Sequence, residues 1–202
     1  MLLDPQSLQQ YGTKMVKNWQ EGTLVKPEIQ HKPTNQIVIQ GNTTYFYCNA
    51  TGVPEPAISW RFSGSSTPKH TGNKLVMHNI RNTGEYEGRY TCIASSRAGK
   101  AEESASLTVL VPPSKNDDLP QGVMLQLGQT LGLTCDVYGD PEPSFVWTKR
   151  LEGGKKRETL ADQKKAELVI QDVRIGDAAY YECTANNSVG NITLNEVFID
   201  VD

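Results

Sequence analysis

The side chains best suited to chemistry in this chain are four cysteines and three histidines. Thiols act as nucleophiles, bind zinc or join in disulfides, and four cysteines allow three disulfide pairings. The cysteines are Cys48, Cys92, Cys135 and Cys183, and the histidines are His31, His70 and His78. The histidines match no zinc-site spacing, and no phosphate-binding, dinucleotide-binding or nucleophile-elbow glycine motif occurs. The sequence therefore predicts no enzyme activity, no metal site and no cofactor.

An internal repeat organises the cysteines into two similar halves. Six residues recur 87 positions later, so that Gly41, Cys48, Gly52, Pro54, Pro56 and Trp60 match Gly128, Cys135, Gly139, Pro141, Pro143 and Trp147. After the tryptophan the offset settles at 91, which aligns Tyr90 with Tyr181 and Cys92 with Cys183. Pairing within each repeat, one of the three arrangements, gives Cys48–Cys92 and Cys135–Cys183.

The spacing inside each repeat resembles that of the immunoglobulin superfamily. A tryptophan follows the first cysteine by 12 residues, and a tyrosine stands two residues before the second cysteine. Asp177, Ala179, Tyr181 and Cys183 match the family's Asp-x-Gly/Ala-x-Tyr-x-Cys signature, and the surrounding residues resemble the I-set of neural adhesion molecules, contactins and titin. The resemblance implies an inter-sheet disulfide in each repeat, with Trp60 or Trp147 packed on it and Tyr90 or Tyr181 forming a tyrosine corner.

The predicted fold is all-β, with two tandem I-set sandwiches and a short N-terminal extension. We expect the extension over 1–26, the first domain over 27–112 and the second over 113–202. Pro112-Pro113 is expected to end the last strand of the first domain, because proline cannot donate to a sheet ladder. In the extension, apolar residues from Leu8 to Trp19 follow a helical period, although a frayed leader would also fit.

Two departures from the family pattern lie in the first and second repeats respectively. Tyr86 stands where the family places the aspartate of its E–F corner, so we expect that corner to be rebuilt in the first domain. The second repeat carries extra residues after Trp147, and Glu152-Gly153-Gly154-Lys155 indicates a hairpin turn into an added strand.

Charge and hydropathy exclude two classes of partner. The net charge of −3 is not the strongly basic field that nucleic-acid binding requires. The densest apolar stretch, Leu107 to Val111, is far shorter than a membrane span, and residues 1–26 do not resemble a signal peptide. We therefore expect no nucleic-acid partner and no membrane insertion by this chain.

Four Asn-x-Ser/Thr sequons begin at Asn42, Asn49, Asn186 and Asn191. Strand alternation and turn positions predict that all four asparagines lie at the surface, where glycan acceptors must be. Incidental use of asparagine and threonine in turns would give the same letters. Together with disulfides, the sequons favour an extracellular protein, at the cell surface or secreted.

Two surfaces are candidates for partner binding. Lys155, Lys156 and Arg157 belong to a basic run that would bind heparan sulfate or an acidic partner, or would only guard an edge strand. The face made by strands C, F and G of the first domain carries no sequon, and we expect Arg61 and Ile93 to be exposed there beside Ser59 and Thr91.

The resemblance implies recognition of another protein at the cell surface, homophilic or heterophilic, by part of an adhesion molecule or receptor ectodomain. One alternative is a secreted two-domain protein that binds a hormone or growth factor. Another is an intracellular scaffold of the muscle type, which would need neither glycans nor disulfides. Fold alone does not choose the ligand.

Overall fold

The computed structural model describes residues 23–63, 65, 67, 69–151, 153–160 and 165–202. They form two compact units, of which the first holds residues 23–36, 43–78 and 84–108 and the second holds 37–42, 79–83 and 109–202. Strands dominate both units, and one short 3-10 turn at Ile175–Asp177 is the helical element of the described residues. The helix predicted between Leu8 and Trp19 lies outside the described residues.

The strands of the N-terminal half form two layers. They are β1 (Val25–His31), β2 (Gln36–Ile39), β3 (Thr44–Tyr47), β4 (Asn49–Val53), β5 (Ala57–Phe62), β6 (His70–Thr71), β7 (Lys74–Met77), β8 (Gly88–Ser96) and β9 (Gly99–Lys115). One layer consists of the ladders β1–β4 and β3–β7, in which β3 and β4 follow each other through Cys48. The other layer has the order β9–β8–β5–β6, with β2 also paired to β9.

The strands of the C-terminal half repeat this plan. They are β10 (Gly122–Leu125), β11 (Leu131–Thr134), β12 (Val137–Asp140), β13 (Ser144–Arg150), β14 (Glu158–Thr159), β15 (Glu167–Ile170), β16 (Ala179–Asn187), β17 (Gly190–Thr193) and β18 (Val197–Val201). One sheet has the order β10–β18–β16–β13–β14 with β17 on β16, and β11 pairs with β15 in the opposite layer. The strand predicted after Trp147 is present as β14, but it is not an addition of the second half, because β6 holds the same place beside β5.

Each core is built around the predicted cysteine, tryptophan and tyrosine. The disulfides are Cys48–Cys92 and Cys135–Cys183, as the repeat and the resemblance implied. Trp60 and Trp147 are fully buried, because their rings fill the space between the layers. Their indole Nε1 atoms donate to the carbonyl oxygens of Gly72 at 2.9 Å and Lys165 at 3.0 Å, which satisfies the buried polar group of each ring.

Both tyrosine corners are formed. The Tyr90 hydroxyl donates to the carbonyl oxygen of Tyr86 at 2.8 Å, and the Tyr181 hydroxyl donates to that of Asp177 at 2.9 Å. Burial raises the pKa of Tyr90 to about 12, and Tyr86 adds to the shift. Burial also raises the pKa of Tyr181, with a further contribution from the charge of Asp177.

The two corners differ where the sequences differ. In the second unit the Asp177 carboxylate accepts the backbone N–H of Arg174 at 3.0 Å and pairs with Lys149 at 3.3 Å. The first unit has Tyr86 at this position, and a phenol side chain cannot make the bonds of the Asp177 carboxylate. The corner of the first unit therefore keeps the tyrosine hydrogen bond, and the change expected there is confined to the aspartate position, where Tyr86 cannot form the ion pair.

Pro112-Pro113 does not end a strand, and that prediction was wrong. Strand β9 continues to Lys115, and its last part pairs with β12 through Val111 opposite Asp140 and Ser114 opposite Tyr138. The two prolines therefore face the single residue Gly139 across a β-bulge. Because a bulge interrupts the regular hydrogen-bond ladder, fewer backbone N–H groups have to donate to the partner strand there. A strand accommodates proline at such an irregularity, and the sequence rule considered only regular pairing.

Candidate interaction surfaces

The first candidate surface is the outer face of β5, β8 and β9, which corresponds to the predicted C–F–G face. Register places Arg61 opposite Thr91, and Thr91 opposite Ser104. The next row holds Ser59, Ile93 and Glu102. Arg61 and Ile93, the two residues predicted to bind a partner, are thus neighbours on adjacent strands.

An ion pair crosses this face diagonally. The Arg61 guanidinium lies 3.1 Å from the Glu102 carboxylate, and because Arg61 and Glu102 belong to the two outer strands, the pair spans β8 between Thr91 and Ile93. Thr91 is consequently buried, with its hydroxyl 3.0 Å from that of Ser104, so the predicted exposure of Thr91 was wrong. Ile93 is half-buried rather than fully exposed. The face therefore carries the Arg61–Glu102 pair beside the aliphatic side chain of Ile93.

The second candidate surface is the basic hairpin of the second unit. Lys155 and Lys156 are both exposed. Arg157, in contrast, lies 3.1 Å from Glu182 and 3.1 Å from Glu196. The structure therefore neutralises one of the three predicted cations, and an anionic ligand at this hairpin would depend on the two lysines.

The pairing of Arg157 reveals a cluster that the sequence analysis missed. Arg150 lies 2.7 Å from Glu196 and stacks over the ring of Tyr180, with its guanidinium carbon 4.3 Å from the ring centroid. The Tyr180 ring in turn packs on Phe198, with 4.9 Å between the centroids. The hydrogen bond from Arg150, with the charges of Arg150 and Arg157, holds the pKa of Glu196 below its usual value. The register of β13, β16 and β18 brings Tyr180 to Arg150 and Phe198, and sequence spacing alone gives no sign of this arrangement.

The four predicted glycan acceptors lie on turns or outer faces. Asn42 and Asn191 are exposed, and Asn49 and Asn186 are half-buried. Asn186 and Asn191 are directly opposite each other in the β16–β17 ladder, so both project from the same face of the second unit. Their glycosylation stays a prediction.

The described residues contain no helix that is long and apolar enough to cross a bilayer. Over the same part of the chain, no cluster of three or more histidine, cysteine, aspartate or glutamate side chains is arranged to hold a metal ion.

Two family models match the chain in tandem. The model described as "Immunoglobulin domain" matches residues 26–96, and the model described as "Immunoglobulin I-set domain" matches residues 115–197. The chain belongs to the immunoglobulin superfamily. The domain limits predicted from the repeat, 27–112 and 113–202, stay predictions.

Similar proteins and a similar solved structure agree with membership of the immunoglobulin superfamily. Human Roundabout homolog 3 is 31% identical over 182 residues, which is 84% of this chain and 13% of that protein. Chicken Neurofascin is 32% identical over 179 residues, which is 83% of this chain and 13% of that protein. The chain thus spans only a small part of these relatives, which are adhesion or receptor proteins. The crystal structure of Dpr11 IG1 bound to DIP-gamma IG+IG2 matches with a TM-score of 0.67 and 18% identity, over 87% of this chain and 98% of that one, and this likeness concerns the fold.

Proposed function

We propose that this immunoglobulin tandem is an extracellular recognition module of an adhesion molecule or receptor, and that it binds a protein through the outer face of β5, β8 and β9. The observation that carries the proposal is the Arg61–Glu102 pair beside the half-buried Ile93 on this sheet face. Arginine with an adjacent aliphatic side chain is a frequent anchor of protein interfaces. No enzymatic role is proposed, because the relatives of the chain are adhesion and receptor proteins.

The distribution of sequons supports the choice of face. None of the four begins on β5, β8 or β9. Asn49 lies on β4 in the opposite layer, and Asn186 and Asn191 lie on the second unit. A sugar on Asn49 would lie on the layer opposite the face that carries Arg61 and Ile93.

The partner is a protein, either a second copy of this chain or a different molecule. The solved relative named above is a complex between two immunoglobulin proteins, which supports recognition of one such domain by another. Binding of heparan sulfate at the hairpin stays a secondary prediction that relies on Lys155 and Lys156, since Arg157 is paired with Glu182 and Glu196.

Simple observations distinguish two alternative functions from this proposal. A secreted binder of a hormone or growth factor would share the face but would lack a membrane anchor in its full-length chain. An intracellular scaffold would carry neither disulfides nor glycans, so intact mass with and without reductant and glycosidase separates it from both extracellular functions.

The test is to change Arg61 and Ile93 together to glutamate in the protein secreted from animal cells. We expect at least a tenfold loss of binding to an immobilised second copy or to cell surfaces, because loss of hot-spot contacts typically costs more than about 1.4 kcal/mol. The matched control is Arg174→Glu with Ile175→Glu, an Arg–Ile pair in the second unit whose Ile175 side chain is 71% exposed. Undiminished binding by a correctly folded Arg61→Glu/Ile93→Glu protein would refute the assignment of this face.

A further inference from the structure

The opposite layer of the first unit exposes an aromatic patch, which we define as His31, Tyr45, Tyr47 and Val76. Tyr45, Tyr47 and Val76 are 52%, 43% and 40% exposed, although Phe46 between the tyrosines is buried in the core. Tyr45 and Val76 are directly opposite in the β3–β7 ladder, and the His31 ring meets the Tyr47 ring edge-on with 6.1 Å between centroids. A group of exposed aromatic side chains on one sheet face is a candidate contact surface.

Asn49, the acceptor of the second sequon, lies at the border of the aromatic patch. It follows Tyr47 by two residues, so strand alternation places both side chains on the outer face, about 7 Å apart along the chain. Asn49 is also the direct partner of His31 in the β1–β4 ladder. The acceptor is therefore flanked by Tyr47 along its own strand and by His31 across the sheet.

Hydrogen bonds orient the amide of Asn49 for modification. Its Oδ1 atom accepts from the backbone N–H of Ala50 at 3.0 Å and from the side-chain amide of Asn73 at 3.1 Å. Among the described residues, Nδ2 of Asn49 donates to no protein group. The oxygen is thus anchored to the protein, and the nitrogen that an N-glycan modifies is left without a partner.

We propose that the first sugar of an N-glycan on Asn49 packs on the aromatic patch, so that this face is covered by the chain's own carbohydrate rather than by a protein. A pyranose ring has an apolar C–H face that fits the electron-rich face of an aromatic ring, while its hydroxyls stay in water. This inference rests on the extracellular location proposed above, but it concerns the layer opposite the proposed binding face.

The structure also assigns the contact within the patch. The Lys74 ammonium lies 4.2 Å from the centroid of the Tyr45 ring, so one face of that ring is already covered. Tyr47 has His31 at its edge and precedes Asn49 on the same face of the strand, and no cation covers its ring among the described residues. Tyr47 is therefore the platform on which the first sugar rests, and Tyr45 with Val76 borders it.

The experiment is a double-mutant cycle on the full chain secreted from animal cells, with Thr51→Ala to remove the Asn49 sequon and Tyr47→Thr to remove the platform. We expect Thr51→Ala to lower the thermal midpoint by about 3 °C when Tyr47 is present and by less than about 1 °C in the Tyr47→Thr background. The matched controls in the second unit are Thr193→Ala, which removes the Asn191 sequon, and Tyr138→Thr, which removes a tyrosine that is 49% exposed. These two control changes should be additive.

A second readout is the nuclear Overhauser effect between the acetyl methyl group of the sugar on Asn49 and the Tyr47 ring, which only direct packing produces. Strict additivity of Thr51→Ala and Tyr47→Thr overturns the proposal. So does an empty Asn49 in a protein whose Asn191 is glycosylated. If the patch instead binds a protein, Tyr47→Thr will weaken partner binding and the cycle will show no coupling. The binding test on Arg61 and Ile93 is independent of each of these outcomes.

Discussion

The tyrosine corner of the second unit allows a quantitative test, in which Tyr181→Phe removes one oxygen atom. The Tyr181 ring is fully buried, and phenylalanine fills nearly the same volume, so the packing term should change little. What is lost is the 2.9 Å hydrogen bond to the carbonyl oxygen of Asp177. A neutral hydrogen bond contributes about 1 kcal/mol net to the free energy of unfolding.

Access of water to the Asp177 carbonyl should keep the loss in the free energy of unfolding at about 1 kcal/mol. Asp177 is half-exposed, so water can replace the lost donor and the carbonyl does not carry the full penalty of a buried unsatisfied group. We therefore expect Tyr181→Phe to destabilise the second unit by about 1–1.5 kcal/mol, or a fall of about 4–8 °C in its thermal midpoint. The matched change, Tyr90→Phe, should cost the first unit at least as much, because Tyr86 supplies no carboxylate to hold that corner.

The same tyrosines give a pH dependence with a defined sign. Burial raises the pKa of Tyr90 to about 12, above the unfolded value of about 10. A raised pKa stabilises the protonated folded state, so this contribution is complete below pH ~10 and is lost as the pH rises through the folded pKa. Tyr90→Phe should therefore make the first unit less sensitive to pH between about 10 and 12 than the parent protein.

The assay is urea unfolding of the full chain followed by hydrogen exchange with mass spectrometry, which reports each unit through its own peptides. Protection should fall in peptides around Ile175–Asp177 and β16 for Tyr181→Phe, and around β8 for Tyr90→Phe. An unchanged stability in both variants, or a loss spread evenly over both units in either variant, would refute the assignment of these hydroxyls as local stabilisers.

Two further predictions concern the second unit. The pKa of Glu196 is lowered, chiefly by its hydrogen bond from Arg150, so its stabilisation is present above the unfolded pKa of about 4.3 and is lost as the pH falls. Glu196→Gln should lower the free energy of unfolding by about 1 kcal/mol at pH 7 and make unfolding less sensitive to acid. Urea titrations at pH 7 and pH 3 will measure both effects. Equal acid sensitivity of the variant and the parent protein would contradict this prediction. Replacing Cys135 and Cys183 together with alanine should cost about 2–5 kcal/mol, visible by hydrogen exchange in the second unit, and an unchanged unfolding transition would contradict a stabilising disulfide.

The parts of the fold that depend on residue spacing could be predicted from the sequence. The cysteine pairs, the two tryptophans and the two tyrosine corners recur at near-constant offsets, because the layers of a sandwich admit few positions for such large groups. The loss of the aspartate at Tyr86 also translated directly into a corner without an ion pair.

The surfaces could not be predicted in the same way, because long side chains reach across strands. Alternation correctly turned Thr91 outward, yet the Arg61–Glu102 pair crosses β8 beside it and buries it. Arg157 looked like a free cation in the basic run, and only the folded register brings it to Glu182 and Glu196. Alternation determines which face a residue occupies, but it does not determine what covers that residue.

The parallel pairing of β10 with β18 bears on how the second unit responds to mechanical load. Residues from Gly122 to Leu125 lie beside residues from Phe198 to Val201 in register, and hydrogen bonds from Leu127 and Asp202 extend the ladder. When the two strands are pulled in opposite directions, the force acts along the ladder. Its hydrogen bonds are then sheared together rather than broken one after another. The second unit would in this way resist extension until the whole ladder ruptures.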